Sequence, residues 1–164
     1  VTVVGDSLIQ LTWLAGKAFV YDIESFEVTG SFDYEGQGWG LCFDGVRLVM
    51  SDGSSSLTMR DPETFTVVGS VPVRLDGAGV ASLNELECVD GKVYANIWQT
   101  DTIVEINPAT GDVMAVIDAS GLLDDADRAG ADVLNGIAYD AASGAFLLTG
   151  KLWPSMFVVV FEPS

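Results

Sequence analysis

One phrase recurs four times along this chain: a small turn with Gly or Asp, a strand, a polar gap, and a second strand followed by Asp or Asn. The copies open at Gly5-Asp6-Ser7-Leu8, Asp44-Gly45-Val46-Arg47-Leu48, Asp90-Gly91-Lys92-Val93 and Ser143-Gly144-Ala145-Phe146. With Leu8, Leu48, Val93 and Phe146 set equivalent, the copies lie 40, 45 and 53 residues apart. Periods of this size are those of propeller blades. The second strands end at Asp22, Asp61, Asn107 and Phe161, which lie 14, 13, 14 and 15 residues beyond their anchors. Between them, gaps such as Asp52-Gly53-Ser54-Ser55-Ser56 and Gln99-Thr100-Asp101-Thr102 read as hairpin turns.

A further turn follows twice, Asp61-Pro62-Glu63-Thr64 and Asn107-Pro108-Ala109-Thr110-Gly111, each leading into a third strand near 66–73 or 112–117. An innermost strand precedes each later anchor: Leu41-Cys42-Phe43, Leu86-Glu87-Cys88 and Ile137-Ala138-Tyr139. The expected fold is therefore an all-β propeller of four-stranded blades, with repeats near 1–37, 38–82, 83–133 and 134–164. One helical insertion is expected, near 121–130. The repeats amount to about three and a half blades, and a propeller closes its blades into a ring. The expectation is a single partial domain lacking its N-terminal blade portion, including any signal segment.

Composition narrows the function. Seven Lys+Arg against 24 Asp+Glu give a formal charge of −17, which disfavours nucleic acid and anionic membrane surfaces as partners. The absence of His removes Ser-His-Asp and Cys-His machinery and any His-ligated zinc. Acid–base work falls to carboxylates, Lys or Tyr. Cys42 and Cys88 have no CxxC spacing, so buried free thiols are expected, with a disulfide as the alternative.

Two sets of residues fall at matched positions. Five residues after the anchors come Trp13, Gly53, Trp98 and Lys151; two before the innermost apolar anchors come Trp39, Asn84 and Asn135. Equivalent positions near a propeller axis converge, so one central pocket is expected to gather three indoles, two amides and a cation. Of Glu85 and Glu87, one is expected to face the channel, and Glu85 is counted with the substrate-binding set. Any one Trp or Asn alone would read as blade packing or turn chemistry. The run Ser51-Asp52-Gly53-Ser54-Ser55-Ser56 lacks the Lys of a P-loop and EF-hand ligand spacing, and reads as a hairpin turn.

Six segments, in order, carry a resemblance: Gly38-Trp39-Gly40-Leu41, Ser51-Asp52-Gly53-Ser54-Ser55, Leu83-Asn84-Glu85-Leu86-Glu87, Ala95-Asn96-Ile97-Trp98-Gln99-Thr100-Asp101, Val133-Leu134-Asn135-Gly136-Ile137-Ala138 and Thr149-Gly150-Lys151-Leu152-Trp153-Pro154. Together they resemble the plant and bacterial type of glutaminyl-peptide cyclotransferase over essentially the whole chain. The resemblance implies a five-bladed propeller that converts N-terminal Gln of peptides to pyroglutamate with release of ammonia, without metal or cofactor. It implies pocket residues at Trp13, Trp39, Asn84, Trp98 and Lys151. Asn84 and Lys151 would polarise the amide oxygen and orient substrate, and Trp13, Trp39 and Trp98 would bind it through indole N–H groups and faces; the residue pattern, not the resemblance, adds Asn135 and Glu85 to the binding set. The family's acid–base Glu would fall two positions before Val1, so the chain by itself is expected to be inactive.

A secreted, periplasmic or otherwise extracytoplasmic location follows from the resemblance, and a monomer is expected. Two competing readings remain. One is a non-catalytic propeller that binds a small ligand or a peptide N-terminus in the Trp-lined pocket. The other is a metal-dependent lactonase-like hydrolase, which the central Trp and Lys residues disfavour, since a cation beside a divalent metal is unfavourable.

Overall fold

A computed structural model describes residues 1–162; residues 163 and 164, the end of the repeat assigned to 134–164, lie outside it. The chain folds into sheets of consecutive antiparallel strands. The first contains β1 (Thr2–Val4), β2 (Ser7–Leu11), β3 (Lys17–Asp22) and β4 (Val28–Asp33); the second contains β5 (Gly40–Phe43), β6 (Leu48–Ser51), β7 (Ser56–Arg60) and β8 (Val67–Pro72). A two-stranded ribbon, β9 (Arg74–Leu75) and β10 (Ala78–Gly79), follows. The third sheet has β11 (Leu83–Val89), β12 (Lys92–Ile97), β13 (Thr102–Ile106) and β14 (Val113–Asp118); the fourth has β15 (Leu134–Asp140), β16 (Ala145–Gly150) and β17 (Phe157–Val159). Among the described residues this is an all-β propeller arrangement with three four-stranded blades and one of three strands. Inner strands neighbour one another, β1 with β5, β5 with β11 and β11 with β15.

Period-two alternation builds the cores. On β6, Leu48 and Met50 face the first blade while Val49 faces the third. On β12, Val93 and Ala95 face the second blade, and Tyr94 faces the fourth. Middle blades thus bury both faces, which is why β6 and residues 93–96 of β12 are buried without a break. Three hydrophobic cores result, one at each seam between adjacent blades. Each fully buried Leu or Ile stabilises the fold by roughly 1.5–3 kcal/mol. The outer strands β4, β8 and β14 are mostly exposed.

The turns repeat as faithfully as the strands. Oδ1 of Asp22 accepts from the Ser25 amide at 2.8 Å, Oδ1 of Asp61 from the Thr64 amide at 2.8 Å, and Oδ1 of Asn107 from the Ala109 amide at 2.9 Å. Each turn closes in the left-handed region, at Phe26, Phe65 and Gly111. The expected insertion at 121–130 contains a single helical turn, α1 (Asp125–Arg128), capped by Asp124, whose Oδ1 accepts from the Asp127 amide at 3.0 Å.

The expectation of free thiols is overturned. Cys42 on β5 and Cys88 on β11 form a disulfide, their Cα atoms 5.5 Å apart, covalently joining the second and third blades. Two half-cystines on neighbouring inner strands come together only once the blades stack, so their spacing in sequence gave no sign of pairing.

Candidate functional site

A cavity of about 390 Å³ opens where the blades converge, lined by Trp13, Gly38, Trp39, Asn84, Trp98, Gln99, Asp132, Val133, Asn135 and Lys151. Six of the seven site residues expected from sequence meet there, and every blade contributes. Glu85, the seventh, is not among the lining residues. A larger cleft of about 510 Å³ runs between the first two blades and holds none of the seven. Its buried Arg60 is occupied: Nε donates to Met50 Sδ at 3.2 Å, Nη1 to the Phe65 carbonyl at 2.9 Å, and the guanidinium lies over the Tyr34 and Phe65 rings.

Local irregularities aim the amides. Both β11 and β15 depart from regular register at the same place, between Leu83 and Leu86 and between Leu134 and Gly136. Such bulges redirect side chains, and Asn84 and Asn135 sit at them. Asn84 is held firmly by its backbone: the Ser51 hydroxyl, fully buried, donates to its carbonyl at 2.6 Å. Gly40 lies so close to that carbonyl that no side chain would fit there.

Trp39 is fixed on three sides. Its indole lies against Gly53, where an added Cβ would stand 2.7 Å from the ring. This explains why Gly53 interrupts the series Trp13, Trp98, Lys151: the ring of Trp39 fills that space. Trp98 meets Trp39 edge-on, with centroids 5.4 Å apart and planes at 77°. Trp39 Nε1 donates to Gln37 Oε1 at 2.9 Å, and Trp13 Nε1 donates to the same oxygen at 2.7 Å. Two of the three indole N–H groups are thereby committed within the protein, which corrects the expectation that all three grip a ligand through N–H. Trp13 and Trp39 present ring surface instead.

Lys151 is anchored to the segment before β15. Its amide donates to the Val133 carbonyl at 2.9 Å, its carbonyl accepts from the Asp132 amide at 2.8 Å, and its Nζ pairs with Asp132 Oδ2 at 2.9 Å. The Lys151 hydrogen bond holds the Asp132 carboxyl below the usual carboxylate range. Burial pushes the Glu85 carboxyl up to about 7, and the neighbouring Glu87 adds to the rise. Burial also raises Glu87. Among the described residues, no group of three His, Cys, Asp or Glu side chains is placed to hold a metal ion.

Chemically, the cavity offers apolar ring surface, three side-chain amides, an ammonium and one anion, in a space suited to a small polar head group. Sequence reasoning missed Asp132, Gln37 and Gln99. The repeat register cannot single out Asp132 or Gln37, because their equivalents in other blades are unlike them. Their sign was position alone, directly before the Val133-Leu134-Asn135 and Gly38-Trp39 segments.

The sequence matches the glutamine cyclotransferase family over residues 1–161. It is 40% identical over 163 residues to the glutaminyl-peptide cyclotransferase of Arabidopsis thaliana, covering 96% of this chain and 51% of that protein. The chain thus spans about half the length of this curated relative. The crystal structure of Myxococcus xanthus glutaminyl cyclase superposes with a TM-score of 0.87 at 43% identity, covering 96% of this chain and 69% of that one. The computationally designed Ika4 protein shares the fold alone, with a TM-score of 0.57 at 12% identity.

Proposed function

The chain belongs to the glutamine cyclotransferase family, and from that premise we propose that its cavity takes the N-terminal glutamine of a peptide and closes it to pyroglutamate, releasing ammonia. The observation that carries this reading is the meeting of Trp13, Trp39, Trp98, Asn84, Asn135 and Lys151 in one small cavity.

The α-amine of the substrate attacks its own γ-carboxamide carbon, a five-membered ring forms, and the amide nitrogen leaves as ammonia. Holding the side chain folded back on the amine removes much of the entropic barrier. The ring surfaces of Trp13, Trp39 and Trp98 confine the small side chain. Lys151 and Asn84 supply donors where negative charge develops on the carbonyl oxygen, and Asn135 orients the substrate. Asp132 keeps Lys151 in place and gives the α-ammonium a negative neighbour.

The proton relay requires a carboxyl that titrates near neutrality. Asp132 is held too low for that role, and Glu85, whose carboxyl is raised to about 7, is not among the cavity's lining residues. In this proposal the relay is a Glu in chain preceding Val1, no metal takes part, and these 164 residues alone do not turn over substrate. The Cys42–Cys88 disulfide favours an oxidising, extracytoplasmic setting. The protein acts as a monomer.

The lack of a relay carboxyl among the lining residues also favours a second reading, a propeller that binds a peptide N-terminus without converting it. Ammonia release from a Gln-initiated peptide separates the two, measured for the whole protein and for residues 1–164, with and without chelator. Release by the whole protein alone, unaffected by chelator, is expected. A folded whole protein that binds the peptide and releases no ammonia would overturn the catalytic reading in favour of the binding one.

A further inference from the structure

We propose that Gln37 is the positioning residue of the aromatic cage: its single side-chain carbonyl oxygen fixes the indoles of Trp13 and Trp39, carried by two different blades, in one relative placement. Gln37 lies in the crossover from β4 to β5. Its Oε1 accepts from Trp13 Nε1 at 2.7 Å and from Trp39 Nε1 at 2.9 Å. An indole N–H can only donate, so both contacts require the oxygen of the amide, and the side chain has one satisfactory orientation.

The crossover is itself seated on the first blade. The Gly38 amide donates to the Trp13 carbonyl at 3.0 Å, and the Tyr34 hydroxyl donates to the Thr12 carbonyl. A Cβ on Gly38 would stand 2.8 Å from the Thr12 carbonyl oxygen and 2.9 Å from Leu11 Cβ, so the close approach admits only glycine. Trp13 is 63% exposed and has little packing of its own. A long exposed side chain held by one hydrogen bond takes its direction from that bond.

Gln37 is exposed, so replacing it opens no hole in a core and leaves the fold intact. The effect falls on the cage. With both indole N–H groups spent on Gln37, the rings offer their surfaces to the ligand, and their spacing sets how large a side chain enters.

The inference rests on the cyclase reading only for its ligand; the clamp can be tested without turnover. Gln37→Leu removes the acceptor, while Gln37→Glu retains an oxygen able to take both bonds. In the whole protein, exchange of the Trp13 and Trp39 indole protons is followed by NMR. Faster exchange of both in Gln37→Leu, with recovery in Gln37→Glu, is expected. In the whole protein, the KM for a Gln-initiated peptide should rise about 10-fold in Gln37→Leu with kcat held within about twofold, and return toward wild type in Gln37→Glu. Unchanged indole exchange, or a fall in kcat alone, would overturn the proposal. If the unaltered whole protein neither binds nor cyclises the peptide, the cyclase reading fails, and indole exchange alone decides the clamp.

Discussion

The seam between the second and third blades and the seam between the third and fourth use the two faces of the same strands for opposite chemistries. The first is aliphatic and covalently closed: Val49, Leu57, Leu86, Val93 and Val104 pack around the Cys42–Cys88 disulfide. The second is aromatic and partly polar. Tyr94, Phe146 and Phe161 cluster there, with Phe146 and Phe161 stacked 4.3 Å apart. Asn96 is fully buried on the Tyr94 side of β12, with neither polar atom of its side chain hydrogen-bonded. The cavity draws its side chains from both seams. Asn84 rises from the stapled seam, while Asn135, Asp132 and Lys151 rise from the other.

Removing the disulfide should have the largest effect on this contrast. Closing a 46-residue separation is worth about 4 kcal/mol in the chain-entropy account. The Cys42→Ala, Cys88→Ala double variant should lose about that much in denaturant unfolding; equal stability with and without the bond would erase the distinction between seams. Phe146→Ala should cost about 3 kcal/mol. It should speed amide exchange in β15 and β16 while leaving β5 protected; uniform loosening would mean the two seams unfold as one.

A pH series sharpens the contrast. The Glu85 carboxyl is raised from 4.5 to about 7, so the folded chain holds a proton that the unfolded chain gives up near 4.5. That stabilisation is whole below about pH 4 and is lost as pH rises through about 7. Glu85→Gln should therefore flatten the fall in stability between about pH 5 and pH 8; an unchanged slope would remove Glu85 as its source. The smallest expected effect is at Asn96. Asn96→Leu removes two buried unpaired polar atoms and should raise stability by about 1 kcal/mol. A loss instead would show that the amide is satisfied in solution.

The blades were legible because each repeats a local rule. Alternation on β6 and β12, and the turns at Asp22, Asp61 and Asn107, are written within a few residues. Register also foretold that Trp39, Asn84 and Asn135 share a cavity with Trp13, Trp98 and Lys151. What could not be read depends on unique contacts between blades. Cys42 and Cys88 pair across a seam, and Gln37 joins two indoles across a crossover. Asp132 pairs with Lys151 from a position whose equivalents in the other blades are unlike it. The pair Glu85 and Glu87 carried no signal of which one faces the channel, and Glu85 lies outside the cavity lining beside the irregular register between Leu83 and Leu86. The two-residue strands β9 and β10 are too short to leave a periodic signal.

The most direct test of the account compares turnover of a Gln-initiated peptide by the whole protein carrying Asn84→Ala with that carrying Lys151→Ala. The two residues come from the two contrasting seams and, in the proposed reaction, serve one carbonyl. Each substitution should lower kcat by roughly 100-fold or more, with unfolding stability close to that of the unaltered protein. Undiminished turnover in both variants would contradict the claim that this cavity is where the chemistry happens.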